Sequence, residues 1–351
     1  MAHTRHLDRG RNRPSQESVA LNKRITSAQS WEQILGIVRE SDPALLSAVN
    51  VVTAFHRVAK LGVQSSRRPR EADLSLLVPL LEPRVDELDG QNLNNVLCAY
   101  AKLDVKPRRD LFVRLSTAVE RSAGAFNPQD VANTLWAYAT LGEAPSASVL
   151  GALSAVAERS AGAFTPQSVA NTLWAYAALQ IEPPSPLFSR VTELNARSFC
   201  DMQLTQICYT HLVGQALGWA FNPPDELLKR AQATMRAQAT KVTVSATQRR
   251  VHKALESMGL QPQLEALTDD GFFSIDIALP AKVGESLRIA VEVDGPQHFT
   301  SSGRKTGSTR LRDFLLERRG WRLVSLRVAD IDKARSSAEL CQYLADALIE
   351  P

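Results

Sequence analysis

The sequence predicts an α-solenoid of helical-hairpin repeats followed by a small α/β domain, and three observations carry that prediction. Residues 120–141 recur as 158–179 with three substitutions, an offset of 158 − 120 = 38 residues. A fixed offset of this size marks a supersecondary unit that buries its apolar face by stacking on copies of itself. After Pro223 and Pro224 the repeat pattern disappears, and two later runs, 273–279 and 289–294, alternate apolar and polar residues with the period of a strand.

One more copy is clear upstream, where Asn95, Ala99, Tyr100, Ala101 and Leu103 take the places of Asn133, Ala137, Tyr138, Ala139 and Leu141. Residues 50–61 and 199–209 read as decayed end copies, as expected of units that must turn a polar face to water. Within a unit, Asn127 or Thr165 is the N-cap and Pro128 or Pro166 the first helical residue. Helix A then runs to about Leu141, with Val131, Leu135 and Tyr138 as its buried stripe and Gly142 as its stop. Helix B follows over about 146–160, with Val149, Leu150, Leu153 and Val156 apolar.

The expected organisation is a flexible basic segment at 1–40, repeats over 41–222, a linker helix within 223–245, and a second domain over 246–351. That domain opens with an amphipathic helix carrying Val251, Leu255 and Met258. After the two strands come a helix over 308–319 stopped by Gly320, a strand over 321–326 and a closing helix over 337–348, the order of a small α/β domain.

The chain has 351 residues and a formal net charge of +4, too slight to decide for a polyanionic partner. The cations nevertheless cluster in 5–24, 229–253 and 304–327, and the middle cluster contains no Asp or Glu. Four cysteines without Cys-x-x-Cys spacing, three of them within predicted helices, read as reduced core residues of a protein in a reducing compartment. No apolar run approaches a membrane span, and the N-terminal residues lack a secretory segment. Arg and Ser near the N-terminus, interrupted by Asp8 and Glu17, give an organelle transit peptide weak support.

At this point the residues carry a resemblance. The segments 275–280, 289–299 with its run Glu-Val-Asp-Gly-Pro-Gln-His-Phe, 309–316 and 320–325 resemble a RAP domain, over about the last hundred residues. The upstream motif Pro-Gln-x-Val-Ala-Asn-Thr-Leu-Trp-Ala-Tyr-Ala resembles octotricopeptide repeats. The combination is similar to organellar RNA-maturation and translation factors. It implies an RNA-binding protein of a chloroplast or mitochondrion, with single-stranded RNA and other RNA-processing proteins as partners and no membrane.

The RAP domain is also similar to the PD-(D/E)xK nuclease fold, which makes a magnesium-dependent endonuclease one alternative. A protein-interaction scaffold is the other. Glu292 and Asp294 are two apart on a strand and point the same way, and Asp276 lies on the polar face of its own strand. If the strands are neighbours, the three carboxylates form an oxygen-rich set suited to magnesium, with His298 as a general acid or base. The lysine of the (D/E)-x-K pattern is replaced by Asp294, so charge neutralisation would fall to Arg310 or Arg312, which are also RNA-contact candidates. In the repeats, Asn95, Asn133 and Asn171 are identical and read as structural, whereas Asn92, Asp130 and Ser168 vary at one place and are the candidate base readers. Tyr138 and Tyr176 read as core, and Trp136 and Trp174 as packing residues or ligand-facing ones.

Overall fold

The computed structural model describes residues 15–280 and 288–349. They fall into two compact units, residues 1–103 and 104–351.

The first unit is helical. Its main elements are α1 (Gln16–Ser27), α2 (Trp31–Glu40), α3 (Ala48–Gly62), the short α4 (Glu71–Leu74) and α5 (Val78–Leu81), and α6 (Gly90–Leu103). Ser47 and Asn50 close a reciprocal capping box at the start of α3, and Asn50 Oδ1 also takes the Ser18 hydroxyl at 2.7 Å. Phe55 of α3 meets Tyr100 of α6 at 5.5 Å between ring centres. The flexible segment expected over 1–40 is therefore corrected from Gln16 onward. Leu21, Ile25, Trp31, Ile34 and Val38 form buried stripes that the basic composition concealed. Residues 1–14, with Arg5 to Arg13, lie outside the described residues.

The second unit begins with repeats. Helices A are α8 (Pro128–Thr140), α10 (Pro166–Leu179) and α12 (Asp201–Leu217); helices B are α7 (Arg109–Ser122), α9 (Ala147–Arg159) and α11 (Ser185–Glu193). Helices A pack on one another in order and helices B form a second layer. The layers are tied by the repeat's own tyrosines. Tyr138 donates to Ser116 Oγ at 2.7 Å, and Tyr176 and Ser154 are bonded at 2.6 Å one repeat on. Left-handed backbone recurs at the same 38-residue spacing, at Gly142, Gln180 and Gly218, and it closes each helix A.

After the repeats, α13 (Asp225–Ala239) is packed, where a linker was expected. It lies along α12, and Arg236 covers the Phe272 ring at 4.5 Å while its Nε donates to Asp270 O at 3.0 Å. Next come α14 (Ala246–Ser257), β1 (Gln263–Leu267), β2 (Ser274–Leu279), β3 (Arg288–Asp294), α15 (Gly307–Glu317), β4 (Trp321–Arg327), a single turn α16 (Val328–Ile331) and α17 (Ser337–Ile349). The sheet order is β1-β2-β3-β4, antiparallel except for β3 and β4, which are parallel and joined through α15. Strand β1 went unread in the sequence because Gln-Leu-Glu-Ala-Leu holds no β-branched or aromatic residue.

One face of this sheet buries Ile277, Val291, Val324 and Leu326 against Val251 and Leu255 of α14 and Leu340 and Leu344 of α17. The opposite face carries Asp276, Glu292 and Asp294 and is met by α15. That helix is seated on the repeats. A Cβ at Gly307 would fall 1.7 Å from Ala139 O, so only glycine fits, and Arg310 Nη1 donates to Gly142 O at 2.6 Å. No described helix is long and apolar enough to cross a membrane.

Candidate functional site

The first turns of α8 and α10 enclose a groove of about 360 Å³, lined by Asn127, Gln129, Asn133, Gln167 and Asn171 among others. The helix starts place these amides. Pro at the first position and a capping residue before it fix the entry of each helix, which leaves the next residue, Gln129 or Gln167, exposed. Asn171 Oδ1 accepts from Gln206 Nε2 of α12 at 2.9 Å, a bond between successive repeats. An amide both donates and accepts, which suits the edges of unpaired bases.

Two of the three candidate base readers, Asp130 and Ser168, are caps rather than exposed groups. Asp130 and Ser168 are 8 % and 6 % exposed, and each is the third residue of a capping box. Asp130 Oδ2 accepts from Asn127 N at 3.2 Å, and Ser168 Oγ from Thr165 N at 2.8 Å. Asn92 sits at the matching place, its own N–H bonded to Asp89 Oδ1 at 2.8 Å. This place varies between copies because several short polar side chains can reach back to the cap. The sequence signal for Gln129 and Gln167 was present, but their identity between copies argued against a reading role.

The tyrosines are core, as expected, at 1 % exposure for Tyr138 and Tyr176. Trp174 is buried and Trp136 half-buried. Of the thiols, Cys98 and Cys208 are buried, Cys341 half-buried and Cys200 exposed, and none is in a disulfide; the exposure of Cys200 departs from the core position expected for all four.

On the sheet, β2 and β3 pair as far as Ile277 with Val291. Beyond that pair the Asp276 carboxylate takes the Val293 N–H at 2.7 Å, and Arg312 Nη2 donates to Ser274 O. The splayed end of the ladder is thus filled by side chains. Between the β1–β2 pairs Leu264–Ile277 and Ala266–Ile275, Glu265 stands opposite Asp276. Its backbone is left-handed, φ 49°, a conformation that costs about 1–3 kcal/mol for a residue with a side chain. Its carboxylate holds Gln248 Nε2 at 3.0 Å and Ser274 Oγ at 2.7 Å.

Glu292 is 5 % exposed and pairs through Oε2 with Arg312 Nη1 at 2.6 Å. Burial pushes its carboxyl up to about 7 against the pull of Arg312, and burial also raises Asp276. Asp276, Glu292, His298 and Arg312 line one cleft with Tyr209, Gln248 and Glu265.

Asp294 is held apart from the cleft, accepting from Ser325 Oγ and lying 3.7 Å from Lys305 Nζ, which itself pairs with Asp313 at 2.6 Å. The expected three-carboxylate magnesium set is corrected accordingly. Among the described residues no group of three or more His, Cys, Asp or Glu side chains is arranged to hold a metal ion.

His298 contacts Thr309 Oγ1 at 3.2 Å and Asp294 Oδ1 at 3.6 Å from the same ring nitrogen. Of the arginine candidates, Arg312 is paired with Glu292, whereas Arg310 is exposed and gives one N–H to Gly142 O. Lys305 was missed because it lies outside the strand motif.

Two family models match. Residues 34–208 are similar to the N-terminal domain of the Tbc2 translation factor. Residues 291–347, which span β3 to α17, match the RAP domain. The chain is a RAP-domain protein that carries helical repeats upstream of that domain.

Proposed function

We propose that this protein binds single-stranded RNA along the amide groove of its helices A and acts in RNA processing, stability or translation within an organelle. The observation that carries this reading is the repeated pair of exposed amides, Gln129 and Gln167, flanking one groove in a chain whose C-terminal domain matches RAP. A groove of helical repeats presents side chains to splayed bases that a duplex would hide. The similarity to a translation factor's N-terminal domain supports the same direction.

Fluorescence anisotropy with labelled single strands and matched duplexes tests it. Single strands should bind tighter, with log affinity falling against log salt by about 0.7 per phosphate neutralised. Equal duplex affinity or a flat salt response would favour a protein-interaction scaffold.

Cleavage is the second reading, favoured by one observation. Lys305 stands beside Asp294 and supplies the cation missing from the strand pattern. The order helix, three strands, helix, strand is also that of the PD-(D/E)xK resemblance. The donor set fits magnesium poorly, because Asp294 is tied to Ser325 and Lys305 and one Glu292 oxygen to Arg312. Metal-dependent turnover by purified protein, abolished in Glu292→Gln, would establish it.

A further inference from the structure

The cleft above Asp276 and Glu292 has a volume of about 610 Å³ and is built by two parts of the chain. The RAP sheet forms one side; Tyr209 of α12 and Gln238 of α13 form the other. One carboxylate oxygen of its lining has no hydrogen-bond partner among the described residues. Glu292 Oε2 takes the Arg312 N–H, yet Oε1 is buried and accepts no hydrogen bond. A buried acceptor without a partner is rare and destabilising, which points to a donor brought from outside.

We infer that this cleft takes one base of the bound RNA, with Glu292 Oε1 accepting from an exocyclic amine, so that cytosine is admitted and uracil refused. The inference rests on the RNA-binding reading. Cytosine and uracil share one ring and size and differ at position 4, an amine in the first and a carbonyl in the second. A carbonyl there would face the carboxylate lone pair to lone pair, whereas acidic side chains accept from the cytosine amine. Tyr209 and Phe272 add aromatic surface to the lining, and Gln248 and Gln297 add amides. Lys241 and His298 also line the cleft and suit a phosphate. A basic side chain of a partner protein is another donor, but it would leave this aromatic and amide lining unused.

Arg312 makes the variant diagnostic. In Glu292→Gln, Arg312 claims the amide oxygen, and an NH2 group replaces Oε1. The cleft then offers a donor, which suits uracil O4.

Equilibrium dialysis of the full chain against cytidine and uridine 5′-monophosphate at about pH 8.5, where Glu292 is ionised, tests this, run beside anisotropy with labelled single-stranded RNA. Cytidine monophosphate should bind about fivefold tighter or better, and Glu292→Gln should reverse the order. The wild-type comparison stands by itself if the variant fails to fold. Equal binding of the two nucleotides by protein that still binds RNA overturns the inference. So does displacement of both by arginine amide without a base preference, which would assign the cleft to a partner's basic side chain. Failure of the RNA-binding reading shows separately, as labelled RNA that does not bind at all.

Discussion

Replacing Gly307 by alanine tests whether the RAP domain is seated on the repeats as described. A Cβ there would lie 1.7 Å from Ala139 O and 2.7 Å from the carbonyl carbon. Ordinary contact begins at 3.4 Å, so the two backbones must part by about 3.4 − 1.7 = 1.7 Å. Neither atom belongs to a side chain that can rotate away, and overpacking of this kind costs about 1–3 kcal/mol or more. Gly307 is the first residue of α15, so the preference of a helix interior for alanine over glycine offsets little of this. The sign of the change is therefore informative. In a unit of 351 − 104 + 1 = 248 residues, each kcal/mol moves the melting temperature by roughly 2–4 °C, so a fall of about 2–12 °C is expected by scanning calorimetry. Gly151 of α9 is the control, because nothing lies within 4 Å of its Cβ position, and Gly151→Ala should raise stability by about 0.5–1 kcal/mol. A Gly307→Ala protein that melts at or above the wild type would refute the seating of α15 on α8.

Asn127→Ala should cost about 0.5–2 kcal/mol in chemical denaturation by removing the cap of α8, whereas Asp130→Ser should leave RNA base preference unchanged. Gln129→Ala combined with Gln167→Ala should weaken binding to single-stranded RNA in anisotropy with little change in melting temperature, since both amides are exposed. Glu292, whose folded pKa is raised to about 7 above the ordinary carboxyl value of 4.5, stabilises most below pH 4.5 and loses that contribution between pH 4.5 and 7. Stability should fall with pH through that window by at most about 1.4 kcal/mol per unit, and Glu292→Gln should flatten the slope in denaturant titrations.

The repeat architecture was legible because its signals are local. Caps, Pro128 and Pro166, and the apolar stripe of Val131, Leu135 and Tyr138 each act within one helix, and the copy at 38 residues confirms them. The two central strands were legible from alternation, and β1 was not, because its residues carry no strand preference of their own. The candidate site was half legible. Strand parity placed Asp276 and Glu292 in one cleft, but it could not show that Ser325 and Lys305 would hold Asp294 elsewhere, since those partners come from other elements. The reader assignment failed for a physical reason: variability at Asp130 and Ser168 reflects the tolerance of a capping box.

The glycine contact beneath α15 also bears on measurement along a bound strand. With backbone against backbone at Gly307 and Ala139, the span from the amide groove to the carboxylate cleft is set by main-chain geometry, with no flexible side chain to lengthen it. Such a protein would act as a ruler. An RNA that engages both places would have to bridge them with a constant number of nucleotides, and an insertion between the two contacts would cost affinity that a jointed molecule would recover.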